Sequence, residues 1–188
     1  MKKIPTIFPE AWIIEPDVFK DDRGYFFESF SLKKYKELLG ELNINLDFIQ
    51  DNHAKSGKDC LRGLHFQAYP GQVKLVRCSF GKIWDVIVDI RPSSPNFKKW
   101  FGIELNAENF KQILVPIGFA HGYSVLSDIA EVQYKTSNYY DSKLEREIYW
   151  NDPELNIDWK ITDPIISNRD LNAPLLNEYL KEHPDPFK

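Results

Sequence analysis

His65, Gln67, Lys74 and Asp85 are the residues whose types and spacing could do chemistry. They fall in three runs that otherwise read as β-strand: Leu61-Arg62-Gly63-Leu64-His65-Phe66-Gln67, Gln72-Val73-Lys74-Leu75-Val76 and Gly81-Lys82-Ile83-Trp84-Asp85. On a strand, residues two apart share a face. Gly63, His65 and Gln67 therefore look one way and Leu64 and Phe66 the other, while Gln72, Lys74 and Val76 oppose Val73 and Leu75. Taken singly, His65 reads as a hydrogen-bonded core histidine and Lys74 as an edge-strand lysine that discourages aggregation. Together, with Arg62 beside them and Asp85 on the next strand, they read as the wall of a polar pocket, because titratable groups converging from strands are the usual sign of a site.

The elements that must position these groups are mostly short strands. Trp12 to Ile14 is one, and Asp21-Asp22-Arg23-Gly24 is a turn. Tyr25 to Phe30 alternates, with Glu28 between Phe26 and Phe30 on one face, either an edge position facing water or a ligand contact. Ser31 is placed to cap a helix carrying Leu32, Tyr35, Leu38 and Leu39, and Gly40 to end it. Phe48 to Asn52 is strand-like, with His53 opening a polar loop. Ile83 to Ile90 is the strongest strand, with Trp84, Val86, Val88 and Ile90 on one face and Asp85 and Asp89 on the other. Strands follow at Trp100 to Leu105 and Gln112 to Val115, and the Pro116 to Gly122 turn then delivers His121. Ala130 to Thr136 is a further strand with Tyr134 pointing inward. Irregular chain is expected from Asn138 to Pro164, and a helix from Pro174 to Lys181. Many short strands, Pro/Gly turns and marginal helices predict an all-β antiparallel sandwich or jelly roll.

At 188 residues the chain is expected to be one domain spanning 1–188. Thirteen Phe, nine Tyr and five Trp suit sheets packed face to face or around a ligand. A net charge of -4 argues against a general nucleic-acid grip, although a few local cations could hold a nucleotide-sized anion. Cys60 and Cys78 are too few for a disulfide framework or a cysteine zinc site. No window is apolar enough to span a bilayer, and Met1 to Pro5 lacks a signal-peptide core, so no membrane partner and a cytoplasmic location are expected.

Pro116-x-Gly118-x-x-His121 resembles the second motif of the cupin superfamily of jelly-roll barrels. Where that superfamily's first motif has His-x-His and then a glutamate, this chain has His65, Gln67 and Lys74. A lysine repels a cation, and a catalytic metal usually takes three protein ligands. A metal-free, cofactor-free cupin-like barrel is therefore expected. Asp22-Arg23-Gly24-x-Phe26-x-Glu28, Gln50-Asp51-Asn52, Leu61 to Gln67, Lys74-Leu75-Val76, Gly118 to Gly122, and Tyr134-Lys135 through Tyr139-Tyr140 further resemble the dTDP-4-dehydrorhamnose 3,5-epimerase family.

That resemblance implies a homodimer converting dTDP-4-dehydro-6-deoxy-glucose to dTDP-4-dehydro-rhamnose. It implies His65 as base, Asp170 as the partner orienting it, Lys74 as stabiliser of an enolate oxygen and Tyr134 as acid. Asp85 would support His121 in a second dyad lining the sugar site. Arg23, Glu28, Gln50, Asp51, Asn52, Arg62, Glu145 and Arg169 would hold the nucleotide, with Tyr139 or Tyr140 stacking on the base. Arg169 stands where the family usually carries Lys. Alternatives are a metal-dependent cupin, against which Gln67 and Lys74 count, and a non-catalytic sugar-binding cupin, which would be expected to lose part of the set His65, Lys74, Tyr134 and Asp170. Within the family, epimerases acting at one carbon, or on another sugar nucleotide, also remain.

Overall fold

The computed structural model describes residues 1–42 and 44–188. Among the described residues, thirteen strands and three short α-helices run in the order β1 (Lys2–Pro5), β2 (Trp12–Glu15), β3 (Phe19–Asp21), β4 (Gly24–Phe26), α1 (Leu32–Leu39), β5 (Gln50–Gly57), β6 (Leu61–Gln67), β7 (Lys74–Phe80), β8 (Lys82–Asp89), β9 (Trp100–Asn106), β10 (Gln112–Val115), β11 (Phe119–Val125), β12 (Ile129–Thr136), β13 (Glu145–Glu147), α2 (Asn168–Leu171) and α3 (Leu176–Glu182). Six strands pair as β1-β2-β10-β7-β12-β5 and five as β13-β6-β11-β8-β9, while β3 and β4 form a separate hairpin. All of these ladders are antiparallel, and apart from β1–β2, β3–β4 and β8–β9 the paired neighbours are not consecutive in sequence, which is the jelly-roll arrangement expected from the strand pattern.

Three apolar layers follow from the period-2 alternation of the strands. Val76, Cys78, Val115, Ala130 and Val132 of the larger sheet meet Ile83, Ile87, Phe119 and Val125 of the smaller one in the central layer. The outer side of the smaller sheet, with Leu61, Leu64, Phe66, Val86, Val88 and Ile90, is covered by Ile148, Leu155, Trp159, Leu176 and Tyr179 from the C-terminal part of the chain. Tyr35 and Leu39 of α1 cover Val73, Leu75 and Leu114 on the outer side of the larger sheet. β8 is buried on both sides along most of its length, which is why it stands out as an apolar run.

Strand β6 breaks its own alternation. His65 lies opposite His121 on β11, but Tyr123 lies opposite Arg62, so Gly63 and Leu64 share the place opposite Gly122. This bulge returns Arg62 to the same side as His65 and Gln67. Simple alternation puts Arg62 on the opposite face from His65, so the extra residue corrects that reading. Gly63 makes the bulge possible, with φ +126°. A Cβ there would lie 2.5 Å from Gly122 Cα and 2.9 Å from the His121 carbonyl oxygen.

Several local expectations are corrected. The strand expected from Tyr25 stops at Phe26, leaving Glu28 outside it. Gly40 is the C-cap that ends α1 at Leu39, as expected, but not by a left-handed turn: its φ is -59°, and the chain continues into a 3-10 turn over Gly40–Leu42. His53 lies within β5 rather than opening a loop, and its ring is 3.1 Å from Glu131 on β12. The stretch expected to be irregular contains β13, and α2 follows it.

Opposite outcomes are expected for two glycine substitutions. Gly63→Ala should destabilise the protein by about 2 kcal/mol or more, since it combines a left-handed φ with a backbone clash. Gly40→Ala, with a helical φ and nothing within 4 Å of the new Cβ, should stabilise it by about 0.4–1 kcal/mol. Chemical denaturation of both variants measures this, and equal effects would contradict the assigned backbone geometry.

Candidate active site

The space between the sheets collects polar groups from both walls. From the smaller sheet come Arg62, His65 and Gln67 on β6, Asp85 on β8, and His121 and Tyr123 on β11. Lys74 on β7, Tyr134 on β12 and Gln50 and Asn52 on β5 come from the larger sheet, where Tyr134 lies opposite both Asn52 and Val76. β13 adds Glu145 opposite Gln67 and Glu147 opposite His65.

His65 Nε2 is 2.6 Å from Asp170 Oδ1. The histidine keeps 26% of its side chain exposed, whereas Asp170 keeps 4%. Ser167 caps α2 and accepts from the Asp170 amide at 3.1 Å. Burial alone would raise the Asp170 carboxyl, but His65, Ser167 and the Gly63 backbone N–H hold it below the ordinary carboxylate range. An ionised carboxylate only accepts, so Nε2 of His65 donates to it and Nδ1 is the nitrogen left to take up a proton.

Glu145 is within electrostatic reach of most of the cluster. Burial would raise its carboxyl, yet Arg169, Tyr140 and His65 together hold it low. Lys74, part-buried between the sheets, has its ammonium pushed down to about 8 by burial, against the opposing pull of Glu145 and Asp85. Tyr134 is raised by burial and by Glu145. The site thus presents a paired imidazole from one sheet, a phenol from the other and an ammonium of low pKa. Such groups can take a proton from carbon, hold charge on an oxygen and return a proton from elsewhere. In the second dyad, His121 Nε2 is 2.9 Å from Asp85 Oδ2, both buried, and Asp85 Oδ1 has no hydrogen-bond partner among the described residues.

The anticipated nucleotide contacts divide into two groups. Gln67 accepts from the Asp141 amide at 3.3 Å, and Gln50 accepts from the Tyr140 amide at 2.9 Å while donating to Asn52 at 2.9 Å. These bonds fix the segment that bears Tyr139 and Tyr140 beside an open hollow of about 450 Å³. Tyr139 is 68% exposed, whereas the Glu145 carboxylate beside Tyr140 raises the Tyr140 phenol. Arg62 Nε donates to Ser56 at 3.0 Å.

Asp51, Arg23 and Glu28 are not brought in. Asp51 alternates to the outer side of the larger sheet and pairs with Lys135 at 2.5 Å, lining a hollow there with His53, Arg77 and Gln133. Arg23 sits on the exposed β3–β4 hairpin, 2.5 Å from Asp21. Glu28 pairs with Lys34 at the start of α1.

Sequence reasoning missed Glu147, Ser56 and Tyr123. Glu147 meets Arg169 through two contacts, to Nε at 3.0 Å and to Nη2 at 2.5 Å, while Glu145 takes Nη1 at 2.7 Å. The signal for Glu147 was its alternation with Glu145, in a strand too short for periodicity to register.

A jelly roll holding a histidine–carboxylate pair, a tyrosine and a part-buried lysine between its sheets belongs with proteins built for proton transfer. The family model described as dTDP-4-dehydrorhamnose 3,5-epimerase matches residues 5–178. The dTDP-4-dehydrorhamnose 3,5-epimerase of Shigella flexneri is 51% identical, over 92% of this chain and 94% of its own. Among solved structures, the dTDP-6-deoxy-D-glucose-3,5-epimerase of Legionella pneumophila, in complex with dTDP-4-keto-L-rhamnose, is 45% identical with a TM-score of 0.89, covering 94% of this chain and 93% of that one. A 3'-monoepimerase from Streptomyces bikiniensis, in complex with dTDP-quinovose, is 31% identical with a TM-score of 0.89, covering 97% of this chain and 91% of its own. The chain belongs to the dTDP-4-dehydrorhamnose 3,5-epimerase family, whose members are isomerases.

The low pKa of Lys74 has a consequence for stability. Below about pH 8 the ammonium is charged in both folded and unfolded states. Between about 8 and its ordinary value of 10.5, the folded protein has released a proton that the unfolded chain still holds, so stability rises with pH. Lys74→Met should therefore be more stable than the natural protein at pH 7. That advantage should shrink from pH 8 to pH 10, by at most about 1.4 kcal/mol per pH unit. Denaturation curves for both proteins across that range measure it, and a gap independent of pH would mean that Lys74 titrates normally.

Proposed function

We infer that this protein is a dTDP-4-dehydrorhamnose 3,5-epimerase that inverts C3 and C5 of dTDP-4-dehydro-6-deoxy-glucose without a cofactor. Its whole length works as one domain, in the cytoplasm. The ketone at C4 acidifies the hydrogens on both neighbouring carbons. His65 Nδ1 removes each in turn, and Asp170 stabilises the imidazolium that forms. The Lys74 ammonium, still mostly charged at neutral pH, steadies the enolate oxygen in a dry surrounding where its charge counts for more. Tyr134 then returns a proton from the other side of the ring. The observation that carries this reading, given the family, is the 2.6 Å His65–Asp170 pair on one sheet with Tyr134 directed inward from the other. Inversion needs base and acid on opposite faces of a ring, and the two sheets supply the two faces.

Arg62 and Arg169 bind the diphosphate, Gln50, Asn52 and Glu145 hold the nucleoside, and Tyr139, the freer of the two tyrosines, stacks on the base. His121 and Asp85 line the sugar site. The protein works as a homodimer. Phe19, Tyr25 and Phe26 support this, since they are 67%, 56% and 68% exposed on a hairpin paired to neither sheet. Arg23 and Glu28 then serve the nucleotide from the partner copy, as neither reaches the pocket of its own chain. Among the described residues no helix is long and apolar enough to cross a membrane.

His65→Ala should abolish exchange of both sugar hydrogens with deuterated solvent, because no enolate forms. Tyr134→Phe should keep measurable exchange while making little product. Each should lower product formation by about 10²- to 10⁴-fold. NMR in deuterated buffer reads both, and exchange by His65→Ala at the natural rate would remove His65 as base. The same spectra address the rival reading, raised by the 3'-monoepimerase neighbour, since deuterium at C3 alone would indicate a single-position enzyme. Sedimentation equilibrium should give twice the chain mass of 22.1 kDa, and a monomer at micromolar concentration would overturn the dimer.

A further inference from the structure

We propose that Glu147 is a tethered competitor for the anion-binding edge of Arg169, and thereby sets how tightly the nucleotide diphosphate is held. The proposal rests on the reading of Arg169 as a diphosphate contact. Glu147 sits on β13 directly opposite His65. Its two carboxylate oxygens meet Nε of Arg169 at 3.0 Å and Nη2 at 2.5 Å. This is the side-on, two-bond geometry that a guanidinium offers a phosphate. Glu145 takes Nη1 at 2.7 Å, so one cation faces two carboxylates.

A diphosphate entering the site must either accept the remaining N–H groups or displace Glu147 from the side-on edge. In the second case the Glu147–Arg169 attraction is lost on binding and is subtracted from the affinity. Glu145 cannot be assigned this role alone, because it also acts on Lys74, Tyr134 and Tyr140. The only side-chain hydrogen-bond partner of Glu147 among the described residues is Arg169. Its carboxylate therefore acts on the handle common to substrate and product while leaving the reacting groups alone. Weakening that shared handle lets product leave without altering the chemical step.

The pair is part-exposed, Arg169 at 44% and Glu147 at 24%, so its influence is that of a solvent-screened ion pair. Calorimetric titration with dTDP should show Glu147→Gln binding about two- to fivefold tighter than the natural protein. Glu147→Ala should shift in the same direction. A purely structural role for Glu147, holding α2 in place, predicts weaker binding instead. Arg169→Ala tests the underlying reading, and unchanged dTDP affinity in that variant would remove Arg169 from the diphosphate site. If Arg169→Ala weakens binding but neither Glu147 variant tightens it, the competitor alone is overturned. In the Arg169→Ala background, Glu147→Gln should lose most of its gain. Full persistence of that gain would identify general charge repulsion and overturn competition for the guanidinium.

Discussion

The site depends on the close passage of β6 over β11 at Gly63 and Gly122. Neither strand has room for a side chain there: a Cβ on Gly63 would reach Gly122 Cα, and one on Gly122 would come within 2.8 Å of the Arg62 carbonyl oxygen. The contact sets two residues of β6 against one of β11, so that Arg62 and His65 face the same space, while Leu61, Leu64 and Phe66 still reach the apolar layer outside. The Gly63 backbone N–H also helps to hold the Asp170 carboxyl below the ordinary carboxylate range. The bulge that brings Arg62 to the His65 face thus also helps to keep ionised the carboxylate that orients the histidine.

Around this point the electrostatics are arranged against stability. A lysine whose ammonium is pushed down to about 8, a phenol raised by burial and several carboxylates share one cavity. Burying charge is costly unless it is paired. The three apolar layers, closed on both outer sides by α1 and the C-terminal segment, offset this cost. Pairing is incomplete where chemistry needs it to be. Lys74 has carboxylates nearby, and His65 keeps one nitrogen open.

Arg169 lies between the helix that carries Asp170 and the strand beside His65, facing Glu145 and Glu147. α2 has only four residues and could not hold its orientation alone. The cap from Ser167, the His65–Asp170 contact and the Glu145–Arg169 pair tie it to β6 and β13. Orientation of the imidazole is in this way shared among segments that are distant in sequence.

By itself the sequence determined the strand pattern, the inward direction of His65, Lys74, Asp85 and Tyr134, and the family, because period-2 alternation and motif residues are local properties of the chain. Arg23 on the hairpin, Glu28 at the start of α1 and the outward Asp51 show the limit of that reading. Motif membership names a residue without saying which cavity it enters. Arg62 reached the His65 face through a bulge whose position depends on a second strand about 60 residues away in sequence. Gly40 does mark the end of α1, as its C-cap, but with a right-handed φ that leads into a 3-10 turn rather than the left-handed terminus that favours glycine. Glu147 was invisible until β13 lay against β6 and Arg169 lay over both. Such pairings are decided by tertiary structure, since an ion pair depends on distances between strands and helices that no local spacing encodes.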